Sequence, residues 1–314
     1  MQTETSFFPA ADGTPRHVID WRPDPGTPIR AALHIAHGMA EYSARYARLA
    51  EALTAAGFAV SAADHRGHGR TTEEGPERGI FAESDGWRLA TDDVRDMVRR
   101  LRAQYANVPL VVMGHSMGSL LVQQILTDND EVARMLSGAV LSATSGKPPF
   151  IASVGRLVAR FERWRLGPRG RSPIIHALTF QDFNKHFKPA RTEFDWLSRE
   201  ASSVDAYVAD PDCGYPCSVQ LWIDVLDSVA HITSDAAQSN IRTDLPIYLF
   251  SGERDPVGDM SRSVRSLERD LQRVGVTNLT CTIYPEARHE TLNETNREEV
   301  VRNLLEWLEA RVPA

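Results

Sequence analysis

Residues 114–118, with the sequence GHSMG, constrain the fold of this chain more than any other segment. They follow the apolar run 109–113, which is typical of a buried parallel strand, and precede residues 119–126, which have the composition of a helix. A Gly-x-Ser-x-Gly turn between a strand and a helix is the pattern of a nucleophile elbow. Its glycines leave room for a sharp turn, and the turn holds the Ser116 hydroxyl above the sheet at the positive end of the helix. The segment therefore predicts a strand, a tight turn with a reactive serine, and a helix.

Short apolar runs alternate with helical periodicity along most of the chain. Strands are predicted at residues 17–21, 29–36, 58–63, 109–113, 138–142, 246–251 and 279–284. Helices are predicted after residue 46 up to a C-cap glycine at Gly57, and at 87–105, 119–126, 261–274 and around 301–308. The turn-rich segment 22–28 indicates that the first two strands are neighbours. This alternation is typical of an α/β domain with a mainly parallel sheet flanked by helices.

The alternation stops between residues 144 and 242, which show helical spacing but no convincing core strand. Because the α/β pattern flanks this segment on both sides, we interpret it as a helical cap inserted over the carboxyl edge of the sheet. The predicted organisation is therefore a first part of the α/β core at 1–143, the cap at 144–242, and a second part of the core at 243–314.

One stretch of the predicted cap combines arginines with apolar residues. Between residues 156 and 171, Glu162 is the one acidic residue among six arginines, and Phe161, Trp164 and Leu166 are interleaved with them. The arginines are Arg156, Arg160, Arg163, Arg165, Arg169 and Arg171. This pattern is compatible with a transient contact between the cap and an anionic membrane surface or a phosphate head group. The commoner explanation is a solvated helix face whose apolar side packs on the core.

A serine nucleophile needs a base, and the base needs an acid that orients it. In elbows of this kind the order along the chain is serine, acid, histidine. Four histidines follow Ser116: three lie in the predicted cap, and His289 comes after the last predicted strand, where a loop can reach the elbow. A single loop histidine is most often an exposed polar residue. Its position and its place in the chain order nevertheless make His289 the predicted base.

The acid is expected in residues 251–257 (SGERDPV), at the carboxyl end of the strand predicted at residues 246–251. Asp255 fits best because Gly252 frees the turn and Pro256 makes the loop beyond the carboxylate rigid. Glu253 is the second candidate, and Asp259 lies further from the strand end. Considered without the serine and the histidine, Asp255 is as typical of a turn or helix-capping aspartate as of a catalytic acid. The matching serine and histidine favour Asp255 as the acid.

The oxyanion that forms during acyl transfer is expected to bind backbone N–H groups. One donor is the residue after the nucleophile, Met117, and the second comes from the loop after the strand that ends at Ala36. In that loop, residues 37–41 (HGMAE), Met39 is the expected donor. Both methionines are also typical of core packing, which is compatible with this role because it uses the main chain alone.

Residues 64–69 (DHRGHG) hold two histidines and an aspartate with a spacing that can resemble metal ligands. A hydrolase with a complete Ser-Asp-His set needs neither a metal nor a cofactor. We therefore prefer a structural turn whose polar side chains brace the loops near the site.

Composition narrows the class of partner. The net charge is −7 over 314 residues, whereas nucleic-acid-binding proteins usually carry a basic surface, so no nucleic-acid partner is expected. Cys213, Cys217 and Cys281 give no disulfide framework and are expected to be ordinary thiols of a reducing compartment. The first residues lack the pattern of a signal peptide and no apolar run reaches membrane-spanning length, so a cytoplasmic location is expected.

Five ordered segments resemble the monoacylglycerol lipase and lysophospholipase branch of the α/β-hydrolases, also called serine aminopeptidase-like hydrolases. They are residues 37–42 (HGMAEY) with Arg45 and Tyr46, 64–69 (DHRGHG), 114–118 (GHSMG), 255–257 (DPV) and 288–290 (RHE). The resemblance implies the α/β-hydrolase fold, with these roles: nucleophile Ser116, acid Asp255, base His289, and oxyanion donors Met39 and Met117.

The chain departs from this family pattern at two positions. Ser119 stands where family elbows often have a second glycine, which concerns helix packing more than chemistry. Met39 stands where some members have a smaller residue, and the longer side chain is expected to narrow the acyl site. The preferred acyl length therefore stays open.

These residues together predict hydrolysis of a carboxylic ester, and the resemblance implies the single acyl chain of a monoacylglycerol or lysophospholipid. The fold and the triad do not fix the leaving group, so a small-ester carboxylesterase and a peptidase are alternatives. A non-catalytic binding protein on the same scaffold is the alternative from a different class, and the intact serine, aspartate and histidine argue against it. The oligomeric state stays open.

Overall fold

The computed structural model describes residues 1–148 and 151–311, and an eight-stranded sheet organises them. The strands are β1 (Gln2–Pro9), β2 (Pro15–Arg22), β3 (Ala31–Ala36), β4 (Phe58–Ala63), β5 (Leu110–His115), β6 (Gly138–Ser142), β7 (Ile247–Gly252) and β8 (Leu279–Tyr284). Their spatial order is β1-β2-β4-β3-β5-β6-β7-β8. The β1–β2 and β2–β4 pairs are antiparallel, and all the other pairs are parallel.

Helices connect the strands in the described part of the chain. They are α1 (Ala47–Ala55), α2 (Gly86–Gln104), α3 (Met117–Asp128), α4 (Glu131–Met135), α5 (Ile151–Leu166), α6 (Pro173–Leu178), α7 (Phe180–Asn184), α8 (Ala201–Ala209), α9 (Val219–Ile232), α10 (Asp235–Gln238), α11 (Arg262–Arg273) and α12 (Arg297–Arg311). Short 3-10 turns occur at Ser43–Tyr46, Gly69–Glu73, Lys185–Phe187 and Thr291–Asn293. The predicted α/β class, with a mainly parallel sheet flanked by helices, is confirmed.

Apolar side chains cover both faces of the sheet. On one face the sheet packs against α2, α3 and α11, for example through Val94, Leu121 and Leu267. On the other face it packs against α1 and α12, for example through Leu53 and Leu304. Strands β3, β4 and β5 are buried at every position, which explains why they read as continuous apolar runs. This double-sided core fixes the carboxyl ends of the parallel strands at one edge of the sheet, where their loops meet.

The predicted pairing of the first two strands is wrong. Strand β4 lies between β2 and β3, so that Ser61 pairs with Asp20 on one side and with His34 on the other. Strand β1 was not predicted, because its side chains are exposed almost throughout and no apolar alternation marks it. The other predicted strands are found with bounds that shift by at most two residues.

Helices α5 to α10 fill the segment between β6 and β7, and no strand occurs in its described part, residues 144–148 and 151–242. Residues 149 and 150 of the predicted cap lie outside the described residues. Helix α5 packs on α9, and the side chains of Phe180, Phe187 and Trp196 form a separate apolar cluster. The helical content predicted for this segment is confirmed, and it has a small apolar core of its own. Its limits as a cap domain stay a prediction.

Helix α5 has an exposed apolar face. Ala159 is buried against Val219 of α9, whereas Phe161 and Trp164 are 55% and 78% exposed and Leu157 is also exposed. The expectation that the apolar side of this helix packs on the core therefore fails for these large side chains.

Two expectations from composition can be compared with the structure. Cys213 and Cys217 are buried free thiols, and Cys281 is a partly exposed free thiol, which agrees with the expected packed or partly exposed cysteines. None of the helices in the described part of the chain combines the length and the apolar composition of a membrane span.

Candidate active site

Ser116 lies between the last residue of β5 and the first residue of α3, as the elbow pattern predicts. Its φ of 50° and ψ of −119° fall in a backbone region that residues other than glycine rarely adopt, so the turn is strained. A Cβ atom on Gly114 would lie 2.4 Å from the Gly118 carbonyl oxygen, and a Cβ atom on Gly118 would lie 2.1 Å from the Ala36 carbonyl oxygen. Because real Cβ atoms do not approach oxygen so closely, both flanking positions require glycine.

Ser119, which replaces the second glycine of many family elbows, has a packing role. Its Oγ lies 2.6 Å from the Ser116 carbonyl oxygen and 2.8 Å from Thr144 Oγ1. The Ser119 hydroxyl thus joins the first turn of α3 to the segment after β6. Neither of these two hydrogen bonds involves His289 or Asp255. This geometry agrees with the expectation that the departure concerns helix packing.

The side chains of Ser116, His289 and Asp255 form one continuous hydrogen-bonded chain. Ser116 Oγ lies 3.0 Å from His289 Nε2, and His289 Nδ1 lies 2.9 Å from each carboxylate oxygen of Asp255. Asp255 is fully buried and accepts a hydrogen bond from the Val257 amide at 2.9 Å, which holds the carboxylate toward the imidazole. These distances are those of a nucleophile, a base and an orienting acid.

The other two candidate acids lie away from the imidazole. Glu253 is exposed and accepts a hydrogen bond from the Glu286 amide at 3.1 Å. Asp259 is exposed and forms an ion pair with Arg262 at 2.6 Å. Of the three carboxylates weighed from the sequence, the structure therefore brings Asp255 into contact with His289.

Close packing of two loops allows that contact. Asp255 follows β7 and His289 follows β8, and these two strands are neighbours in the sheet. A Cβ atom on Gly252 would lie 2.2 Å from the carbonyl oxygens of both Ala287 and Arg288. The absence of a side chain at Gly252 therefore lets the histidine loop come down onto the loop that carries the acid.

Two opposing effects set the pKa of His289. Burial lowers it, whereas the charge of Asp255 and the hydrogen bond to it raise it, and the net result is a pKa above the ordinary histidine value. The ring of His115 lies 5.1 Å from that of His289, and burial lowers the pKa of His115 to about 4. Of these two neighbouring rings, His289 is therefore the one that can take up a proton near neutral pH.

Met39 and Met117 lie on the wall of the cavity that contains Ser116. Met117 is the first residue of α3, so its N–H group has no acceptor within the helix. In the described part of the chain, no group accepts a hydrogen bond from the amide of Met39 or of Met117. Both amides are therefore available to an anion beside Ser116.

A buried ion-pair network, to which the sequence analysis gave no role, joins the loops around this site. Arg45 donates to Glu41 Oε2 at 2.6 Å and to both carboxylate oxygens of Glu290 at 2.7 Å. Glu41 Oε1 in turn accepts the Gly38 N–H at 2.6 Å. Burial raises the pKa of Glu290, but the neighbouring Arg45 outweighs it and holds that pKa below the ordinary range. The network ties the loop that contains Met39 to the residue after His289.

The predicted cap segment also helps to position the histidine loop. The carbonyl oxygens of Trp196 and Leu197 accept hydrogen bonds from the amides of His289 and Glu290, at 3.4 and 2.8 Å. The Trp196 ring lies 5.2 Å from the imidazole of His289. The sequence gives no signal for this contact, because residues 194–200 have neither strand alternation nor helical periodicity.

Residues 64–69, for which metal binding was the alternative, form a braced turn. Asp64 accepts hydrogen bonds from the amides of Ser43 and Arg70 at 2.8 and 2.9 Å, and it lies 3.0 Å from His17 Nδ1. These partners outweigh burial and lower the pKa of Asp64 below its ordinary value. Because protein groups occupy this carboxylate, the arrangement favours the structural interpretation.

Ser116 opens into a cavity with mainly apolar walls. Core and cap segments both contribute to these walls, through Met39, Leu120, Phe180, Phe183, Trp196, Leu197, Trp222, Val225 and Val257. An apolar cleft with a few polar groups at one end is typical of a site for a small ligand. This cavity can accept an acyl chain whose carbonyl group lies beside Ser116 and the two amides.

Known proteins are similar to this chain in sequence and in fold. The model of the family described as "Serine aminopeptidase, S33" matches residues 27–296. The monoacylglycerol lipase of Mycolicibacterium smegmatis is 27% identical over 310 residues, which cover 98% of this chain and 97% of that protein. The monoglyceride lipase of Mus musculus is 27% identical over 296 residues, covering 91% and 87%. The crystal structure of a thermostable carboxyl esterase from Bacillus coagulans has a TM-score of 0.90 at 23% identity, covering 99% of each chain.

The family match covers most of the chain, including the elbow and the loops of Asp255 and His289. The resemblance drawn from the five motifs is therefore confirmed, and the fold likeness agrees with it. The chain belongs to the serine aminopeptidase, S33 family of the α/β-hydrolases.

Proposed function

We propose that this protein is a serine hydrolase that cleaves the carboxylic ester of a single-chain lipid, a monoacylglycerol or a lysophospholipid. The observation that carries the proposal is the hydrogen-bonded chain from Ser116 through His289 to Asp255. The Ser116 end of this chain faces a mainly apolar cavity. The ester-hydrolase class is supported by the family match and by the monoacylglycerol lipases among its relatives.

The reaction follows from the order of the groups. His289 Nε2 takes the proton of Ser116 Oγ as the oxygen attacks the ester carbonyl, and Asp255 stabilises the imidazolium that forms. The N–H groups of Met39 and Met117 hold the negative oxygen of the tetrahedral intermediate. The intermediate collapses to an acyl-enzyme, and His289 gives its proton to the departing alcohol. Water then attacks the acyl-enzyme with His289 as base, which releases the fatty acid and restores Ser116.

The cavity supports a lipid acyl chain as the substrate group. Its aromatic wall, formed by Phe180, Phe183, Trp196 and Trp222, offers contact to a chain of methylene groups rather than to a polar side chain. Each methylene that leaves water contributes about 0.8 kcal/mol to binding, so a chain of ten carbons is strongly preferred over acetate. We propose that residues 144–242 act as the cap domain that supplies this wall, inserted between core parts 1–143 and 243–314.

A small-ester carboxylesterase is the second candidate, and the fold likeness to a carboxyl esterase agrees with it. A peptidase and a non-catalytic binding protein are further alternatives, since the fold alone does not fix the reaction. Apolar groups make up most of the cavity wall, which disfavours a peptide with its many hydrogen-bonding groups.

A series of p-nitrophenyl esters from acetate to dodecanoate, together with 1-monoacylglycerols and aminoacyl p-nitroanilides, separates these functions. We expect kcat/KM to rise at least tenfold from acetate to decanoate, and we expect fatty acid to be released from the monoacylglycerols. Ser116→Ala is the control and loses both activities. A preference for acetate would favour the small-ester carboxylesterase, and faster cleavage of the anilides would favour the peptidase.

We also propose that the exposed face of α5 contacts an anionic lipid surface transiently. Leu157, Phe161 and Trp164 recur at helical spacing on the outside of the helix. Residues 144–178 carry seven Lys and Arg against one acidic residue, in a chain whose net charge is −7. Three arginines of this stretch, Arg160, Arg169 and Arg171, pair with acidic residues outside it, so Glu162 is not their one acidic partner. Those outside partners are Asp227, Glu77 and Glu83.

A further inference from the structure

The peptide unit between Gly38 and Met39 has a fixed direction in this structure. The Nδ1 atom of His37 lies 2.7 Å from the Gly38 carbonyl oxygen. This carbonyl and the Met39 N–H belong to the same trans peptide, in which the two groups point in opposite directions. A hydrogen bond that holds the carbonyl toward the His37 ring therefore turns the Met39 N–H away from that ring.

The hydrogen bonds of His37 also define which of its nitrogens carries the proton. The His65 amide donates to His37 Nε2 at 2.9 Å, so Nε2 must accept and Nδ1 must hold the hydrogen. Burial, followed by the neighbouring His68, lowers the pKa of His37 well below the ordinary value, so the ring is neutral. His37 is therefore held as a neutral ring with its donor aimed at Gly38.

Other contacts hold the same short segment. His65 Nε2 donates to the His37 carbonyl at 3.1 Å, and the two rings lie 4.1 Å apart. Further along, Ala40 has a φ of 54°, and its carbonyl accepts hydrogen bonds from Tyr207 Oη and from the Gly214 amide at 3.0 Å each. The loop is thus fixed on both sides of the Met39 amide. Gly38 has no side chain that would oppose rotation about its own ψ angle, so the orientation of this peptide depends on the hydrogen bond to its carbonyl.

We propose that His37 is a positioning residue for the oxyanion hole, which aims the Met39 amide at the substrate oxygen through the carbonyl of Gly38. The proposal rests on the proposed function, in which Met39 N–H binds the oxyanion. Without the donor at His37 Nδ1, the peptide can rotate and present its carbonyl oxygen to the site in place of the N–H. Loss of one oxyanion donor lowers kcat by about 10²–10³-fold in serine hydrolases.

Two matched substitutions separate the donor from the remainder of the side chain. In His37→Asn the amide nitrogen can stand where Nδ1 stands, so the bond to Gly38 can form, whereas the acceptor for His65 is lost. In His37→Gln the amide reaches the position of Nε2, so the acceptor is kept and the donor to Gly38 is lost. We expect kcat to fall at least tenfold further in His37→Gln than in His37→Asn, while KM stays within about threefold of wild type.

Inhibition by a trifluoromethyl ketone, relative to inhibition by the product fatty acid, gives a readout that does not depend on the amount of folded enzyme. The ketone adduct places an oxyanion in the hole, so we expect this affinity ratio to drop in His37→Gln and to recover partly in His37→Asn. Equal ratios in the two variants would overturn the proposal.

The wild-type protein supplies a test that needs no folded variant. Long-range ¹H–¹⁵N spectra must report the Nδ1–H tautomer for His37, and the Nε2–H tautomer would overturn the proposal. Failure of the proposed function looks different: wild type would then show no ester hydrolysis that depends on Ser116, whatever the tautomer of His37.

Discussion

At the scale of single residues, Asp255 and Glu253 lie two positions apart in one loop but have opposite environments. Asp255 is fully buried against His289, whereas Glu253 faces solvent. The sequence could narrow the acid to this loop from chain order and the preceding strand, and it favoured Asp255 over Glu253 because Gly252 and Pro256 flank that turn. It could not show which carboxylate turns inward, since that depends on how closely the loops of Gly252 and Ala287 pack.

Asp255→Asn should lower kcat/KM on a p-nitrophenyl ester by about 10⁴-fold with little change in KM, because the amide favours the wrong tautomer of His289. The control is Glu253→Gln, which changes the other carboxylate of the same loop and should retain wild-type kinetics. Steady-state kinetics of the two purified variants measure this difference. A large loss in Glu253→Gln with little loss in Asp255→Asn would show that the acid is misassigned.

The pH dependence of kcat/KM should follow the protonation of His289. The base acts when it is neutral, and its pKa lies above the ordinary value because Asp255 outweighs burial. We therefore expect activity to rise with pH through a limb whose midpoint lies above about 6.5, the reference histidine pKa. Replacing Asp255 by Asn removes the charge that raises this pKa, so the limb of the residual activity should move to lower pH. A limb that moves upward in this variant would contradict the assignment.

At the scale of elements, Arg45 connects segments that are far apart in the chain. It sits in the 3-10 turn Ser43–Tyr46 and pairs with Glu41 in the loop after β3 and with Glu290 before α12. The Arg45 guanidinium also stacks over the ring of Tyr207 from α8, with its centre 4.8 Å from the ring centroid. Sequence periodicity predicts β3 and α12, but a contact between residues 245 positions apart leaves no local pattern.

Arg45→Met should reduce the free energy of unfolding by about 3–5 kcal/mol at pH 7, because it leaves two buried carboxylates without their cation. In wild type the pKa of Glu290 is lowered, so its contribution to stability is present above the unfolded pKa and is lost as the pH falls. In the variant, protonation relieves the unpaired charge, and the difference from wild type should shrink between pH 7 and pH 4.

Urea unfolding at the two pH values measures both effects. Arg88→Met is the control, because its ion pair with Asp92 is exposed and should matter little. A loss in Arg45→Met that is small, or that grows as the pH falls, would contradict the role given to this network.

At the scale of the whole molecule, the sequence predicts the fold class well and the order of the strands poorly. Strands β3 to β7 were identifiable because each is buried at every position and is therefore largely apolar. The insertion of β4 between β2 and β3 was not, because the pairing of non-consecutive strands depends on the crossover connections of the sheet. The exposure of the apolar side chains on α5 could not be predicted either, because an amphipathic pattern does not show which side of a helix packs on the core. The cytoplasmic location stays a prediction.

Vesicle binding tests the exposed face of α5. Trp164→Ser should reduce co-sedimentation with phosphatidylcholine vesicles that contain phosphatidylglycerol by at least threefold, because the indole ring is the most exposed large apolar group of the helix. Phe7→Ser is the matched control, since Phe7 is an exposed aromatic residue on β1, outside the cap. Equal binding of the two variants, or no binding by wild type, would contradict the proposed lipid contact.

The central claim is that Ser116 carries the acyl group between the two halves of the reaction. Intact-protein mass spectrometry after rapid acid quenching of a reaction with p-nitrophenyl decanoate tests it most directly. The mechanism predicts a decanoyl adduct on wild type, located at Ser116 by peptide mapping, and none on Ser116→Ala, which also loses turnover. Ser116→Ala that still hydrolyses the ester at the wild-type rate, or a decanoyl adduct mapped to another residue during turnover, would contradict the account.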